Sequence, residues 1–158
     1  MIRYLLFILA IQIPSFFYAQ TGSNVEQLVQ KYKDLGARFE PVSPFSPLRS
    51  VTDLPGLPDL KGQFLLLDAD ALKKAVADRP ATMSLILPKT DGEMVIDLVR
   101  TEVLAEGFYV KTTDSHGQTV PYTPGIYYRG TVRGEHGSLA AISIFEDELM
   151  GVIALPGA

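Results

Sequence analysis

His116 and His136 are the only histidines in the chain, and there is no cysteine. Zinc-dependent peptide hydrolysis of the commonest kind needs His-Glu-x-x-His on a helix, which sets two imidazoles on one face with the glutamate as general base. Both histidines here lie in glycine-flanked turns, and no such helix is written into the sequence. Asp114, Ser115 and His116 have the residue types of a hydrolase triad, but a triad needs side chains that converge from separated positions, and three consecutive turn residues diverge. A solvated hairpin loop accounts for them. Asp97 and Glu102 invite a paired-carboxylate reading, yet their odd separation puts them on opposite faces of a strand. Asp68-x-Asp70 lacks the third oxygen ligand, the glycine and the closing glutamate of a calcium loop, and helix capping explains it better. Gly130, Gly134 and Gly137 lie between strands with no helix following, so they serve turns and bulges and not a phosphate. Alternation through Tyr127 and Tyr128 sends one ring inward and one outward, which argues against a flat stacking platform.

The elements that would position these residues can be read in order. Val25, Leu28, Val29 and Tyr32 fall at helical spacing, extended by Leu35 and Phe39, with Asn24 and Gln27 as a capping box and Gly36 as terminator. Such a stripe buries itself on its own sheet or lies on a partner; the first is the commoner use. Pro41, Pro44, Pro47, Pro55 and Pro58, interleaved with serines, mark an extended linker or a surface strap. Gly62 to Leu67 reads as a strand, and Asp68 caps a short helix that stops at Arg79-Pro80. Met83 to Leu87 and Glu93 to Leu104 are strands joined at Asp91-Gly92, the strongest hairpin signal in the chain. Phe108 to Thr112 and Gln118 to Tyr122 flank a second turn. Ile126 to Val132, Leu139 to Phe145 and Leu149 to Ile153 then form a meander. The expected fold is mainly β (α+β): an antiparallel β-sandwich or open barrel with one or two short helices near the N-terminus.

At the N-terminus Arg3, the apolar run Tyr4 to Phe17 and the small Ala19 make a cleavable signal peptide. The run is too short for a stable membrane anchor and contains Gln12 and Pro14. The expected product is secreted, periplasmic or at the cell surface. Its organisation is residues 1–19 leader, 20–40 amphipathic helix, 41–61 proline- and serine-rich linker, and 62–158 β-rich domain. The net charge is −4, one unit more negative once Arg3 is lost, which gives nucleic acid no electrostatic footprint. Zero cysteine excludes a disulfide scaffold, a thiol nucleophile and a thiolate switch on a protease zinc.

Tyr127-Tyr128-x-Gly130-x-Val132-x-Gly134, then Ser138-x-x-Ala141-x-Ser143, then Leu149-x-Gly151-x-Ile153 resemble the distal propeptide of secreted reprolysin-type (adamalysin, ADAM-like) zinc metallopeptidases. With the upstream run the resemblance covers about Gly62 to Ile153. Family members place one cysteine before the aromatic pair and another in the following strand. Those positions are Ile126 and Phe145 here, so the resemblance implies an apolar cross-strand pair in place of a disulfide.

The resemblance implies a propeptide that assists folding of a metallopeptidase catalytic domain and covers its cleft, with that domain, normally in cis, as the partner. It implies no catalytic residue and no cofactor in this chain, zinc belonging to a catalytic domain downstream. The family continues past its last propeptide strand, so the chain is expected to be the front of something longer. Without the cysteine, an acid or histidine from a turn would have to reach the zinc. Asp91, Asp114 and His116 are the residues available for this. The alternative is a stand-alone exported β-sandwich that binds a protein or a glycan.

Overall fold

Asp91-Gly92 closes a hairpin as its sequence dictates, with Gly92 at φ 137° and the flanking strands in register from Lys89↔Gly92 to Thr82↔Val99. This hairpin is the spine of the fold. The computed structural model describes residues 24–47 and 63–157. In chain order these form α1 (Asn24–Asp34), β1 (Glu40–Val42), β2 (Phe45–Pro47), β3 (Leu65–Leu67), α2 (Ala69–Asp78), β4 (Thr82–Lys89), β5 (Gly92–Arg100), β6 (Val110–Lys111), a single 3₁₀ turn (Thr113–Ser115), β7 (Thr119–Val120), β8 (Ile126–Val132), β9 (Leu139–Ile144) and β10 (Leu149–Ala154). The leader expected over 1–19 and the proline-rich stretch 48–61 lie outside the described residues.

The expected mainly β, α+β fold is found. Six strands form one open sheet in the order β1-β4-β5-β8-β9-β10, and no barrel closes among the described residues. All its pairings are antiparallel except β1 on β4, which is parallel. One face holds the core, with Met83, Leu85, Ile96, Leu98, Tyr128 and Ile142 packed around Leu72 of α2. Alternation places Ser84, Asp97 and Thr131 on the other face, where α1 packs over β5 and β8.

Local chemistry explains both helix boundaries. Asp68 accepts from the amides of Asp70 and Ala71 at 2.9 and 3.0 Å, and α2 stops where Arg79 turns left-handed at φ 43° just before Pro80. Gly36 (φ 75°) ends α1 with a paired C-cap, its amide on the Lys33 carbonyl and that of Ala37 on Tyr32. The amphipathic stripe therefore takes the commoner use: Val25 and Val29 are buried on the chain's own sheet. Its expected extension through Leu35 fails, because that side chain lies beyond the last helical turn and is 73% exposed.

Three further expectations are corrected. The proline-rich segment does not begin as a strap: Pro41 and Pro47 lie in short peripheral strands, β1 and β2, where a missing N–H is tolerated. The strand expected to run to Leu104 stops at Arg100, because residues 101–125 leave the sheet. Ile126 does not pair with Phe145. Its partner is Ile144, and the one-residue offset sends Phe145 to the opposite face, where its ring meets Tyr127.

Candidate functional site

Residues 101–125 leave the Arg100 end of β5 and return to β8, carrying the small β6–β7 hairpin. Its turn is held by its own side chains. Thr112 Oγ1 accepts from the Ser115 amide, Ser115 Oγ accepts from the Thr112 amide at 3.2 Å, and the same hydroxyl reaches the Gln118 carbonyl at 2.7 Å. His116 ends the turn left-handed at φ 47°. Asp114 and His116 are exposed, and the Ser115 hydroxyl is occupied by backbone, so the three residues do not assemble a nucleophile.

Between this excursion and the sheet end lies a cleft of about 420 Å³ whose lining includes Arg79, Glu102, Phe108, Tyr109, Tyr122 and Tyr127. The aromatic rings form a connected series. Phe108 meets Tyr122 edge-on at 5.6 Å, the Tyr122 and Tyr127 hydroxyls lie 3.2 Å apart, and Tyr127 meets Phe145 edge-on at 6.3 Å. The Lys111 ammonium sits 5.3 Å from the Tyr109 ring centre. The hydrogen bond with Tyr122, with some help from burial, raises the Tyr127 phenol above its ordinary value. Tyr109 is 60% exposed, and Phe108 and Tyr122 are also open to solvent. Aromatics that leave a sheet to stand in a cleft are unusual for residues whose only role is packing. Sequence reading took Phe108 and Tyr122 as ordinary strand ends, and what betrays them is three aromatic side chains in a short segment that leaves the sheet.

The second constellation is buried. Asp97 has a fully enclosed carboxylate that receives Arg133 Nη2 at 2.6 Å and Nε at 3.2 Å, Lys33 Nζ at 2.7 Å and Ser84 Oγ at 2.8 Å. Burial raises the carboxyl pKa, but the bonds from Arg133, Lys33 and Ser84 together outweigh it and hold Asp97 below the ordinary carboxylate value. The same bond raises the Arg133 guanidinium further. Lys33 belongs to α1, Asp97 to β5, and Arg133 follows β8, so the cluster bolts the helix to the sheet. Glu102 lies past the end of β5 and takes no part. A second tie joins α1 to the turn after β8, His136 Nδ1 to Glu26 Oε1 at 3.0 Å.

The motif residues fall in the middle of the sheet. Tyr128 points into the core and Tyr127 away from it, as alternation requires. The Tyr128 hydroxyl donates to the Pro80 carbonyl at 3.0 Å, and burial, partly opposed by Arg100 and Arg79, pushes it up to about 12. Gly130 lies where β8 crosses β5 so closely that a Cβ would stand 2.0 Å from the Asp97 carbonyl oxygen. Gly151 is similarly pressed against the Ala141 carbonyl, while Gly134 and Gly137 turn the chain at φ 85° and 77°. Ser138 closes that turn, its hydroxyl accepting from the Val132 amide at 2.9 Å and donating to the Glu135 carbonyl at 2.6 Å. Ser143 is half-buried opposite Tyr127 and Met150.

The three turn residues available for reaching a partner's metal are not together. Asp91 sits at one end of β5, exposed and 3.4 Å from Lys89. Asp114 and His116 belong to the excursion that leaves the other end, about 27 Å away at strand rise. At most one of the two turns can face a common cleft. Among the described residues no three His, Cys, Asp or Glu side chains are grouped to hold a metal ion, and no helix is long and apolar enough to cross a membrane. Comparison with known proteins gives no match: no family model, no curated protein and no solved structure is significantly similar to the chain.

Proposed function

We propose that the chain is the propeptide-like domain of a secreted reprolysin-type zinc metallopeptidase, acting by holding the catalytic domain and carrying out no bond chemistry itself. The observation that carries this reading is the outer edge of β10. Leu149–Ala154 is the last strand of the sheet, with a strand on one side only among the described residues. It contains no charge and no proline, the devices by which proteins blunt a free edge. Met150 and Val152, two apart and so on one face, are 47% and 60% exposed. An edge of this kind accepts an added strand from a partner, main chain giving affinity and alternate side chains giving selectivity.

The same geometry orders the three turn residues. The chain leaves β10 at Leu155, which shares a cleft with Lys89 and Glu93 at the base of the β4–β5 hairpin. Asp91 is in that turn; Asp114 and His116 are at the far end. Asp91 is therefore the residue assigned to the partner's cleft.

The test is inhibition. Purified protein titrated into a reprolysin-type catalytic domain should block hydrolysis of a reporter peptide saturably. Val152→Lys should weaken the block about tenfold or more by placing a charge on the docking strand, and Asp91→Ala should weaken it while His116→Ala does not. No inhibition and no complex with the wild-type protein would remove the reading in favour of a stand-alone binding module. Reading the gene past the Ala158 codon is a companion check, because an open frame running into His-Glu-x-x-His would place the partner in cis.

A further inference from the structure

The aromatic cleft at the opposite end of β8 is unused by the proposed docking, and its chemistry is of a different kind. From the lining of this cleft we infer a binding site for a pyranose ring of a neutral glycan. Three properties select that ligand. The apolar surface is ring surface, from Phe108, Tyr109, Tyr122 and Tyr127, and the negative face of an aromatic ring attracts the weakly positive C–H face of a sugar. The polar side chains include one guanidinium, Arg79, one carboxylate, Glu102, and two phenols whose hydroxyls already touch. That set offers donors and acceptors together with no net charge, which suits a polyhydroxyl ring and disfavours an anionic ligand. The volume, about 420 Å³, lies within the range of small-ligand sites, roughly 300–1,000 Å³. An extended peptide is less well served, since the polar lining consists of side-chain heads and not of a free strand edge such as β10 offers.

The rings also supply the readout. The chain has no tryptophan, so its near-ultraviolet fluorescence comes from tyrosine, and Tyr109, Tyr122 and Tyr127 all line the cleft. Titration of the full protein with cellohexaose, chitohexaose, mannohexaose and xylohexaose should give a saturable change with at least one of them, at a Kd of about 1 mM or tighter. Tyr109→Ala removes an exposed ring and leaves the core untouched. It should weaken that binding about tenfold, and Val152→Lys should leave it unchanged. Three results would overturn the assignment: no response to any of the four sugars, undiminished binding by both Tyr109→Ala and Tyr122→Ala, or a response to a proline-rich peptide with none to sugar. Because the protease assay reads β10 and this one reads the tyrosines, either proposal can fail without the other.

Discussion

Asp97→Ala should lower the unfolding free energy by about 3 kcal/mol, the lower end of what removing one partner from a buried ion pair costs. The lower end applies because the Lys33 and Arg133 side chains are 40% and 53% exposed and regain water, while the carboxylate they serve is 1% exposed. Asp97→Asn should recover little, since a neutral amide keeps the shape but balances neither cation. Urea unfolding at neutral pH measures both, and a loss below about 1 kcal/mol would reduce the cluster to the worth of a surface pair. The pH dependence has a definite sign. Asp97 is held below its ordinary value when folded, so its contribution is present above the unfolded carboxyl value of about 3.9 and is lost as pH falls through the folded value. The gap between wild type and Asp97→Ala should therefore narrow on acidification from about pH 6 to about pH 2.

Gly130→Ala is expected to cost about 3 kcal/mol or more, the upper range for overpacking. The added methyl would stand 2.0 Å from the Asp97 carbonyl oxygen and 2.8 Å from its carbon. Both are backbone, and backbone in the middle of a six-stranded sheet cannot yield as a side-chain tip can. Strands β5 and β8 would have to part at Leu98↔Gly130. Gly134→Ala is the matched control: it meets nothing within 4 Å and bears only the left-handed conformation at φ 85°, worth about 1 kcal/mol. Thermal unfolding of the two variants side by side should separate close approach from conformational strain, and equal losses would mean that the strands are not so tightly opposed.

Much of this fold was legible because its signals are local. Asp68 as cap, Arg79-Pro80 as stop, Asp91-Gly92 as turn and the inward-outward split of Tyr127 and Tyr128 each depend on a few neighbouring residues. The buried cluster was not legible. Asp97 interrupts an apolar run from Met94 to Val99, which is itself a signal that something must neutralise it, but Arg133 lies 36 residues away and Lys33 on a helix whose docking face the sequence leaves open. Testing Asp97 only against Glu102 looked along the strand when the partners stand across it. The Ile126 and Phe145 expectation failed by one residue, the smallest register error and the one that reverses every face. The aromatic cleft was missed because each ring taken singly looks like a strand residue, and only the departure of 101–125 from the sheet brings them together.

The bolt through Asp97 also has a consequence for how the molecule is made. Synthesis delivers α1 and β1 first, yet each has its partners far downstream: β1 in β4, α1 on β5 and β8, and Lys33 in a cluster completed only by Arg133. At about 5–20 residues per second the ribosome needs roughly 5–20 s to add those intervening residues. Throughout that interval the emerging chain carries an apolar helical stripe with nothing to lie on. The N-terminal segment is thus first to be born and last to be seated, and export machinery or a holding chaperone would meet it in that unfinished state.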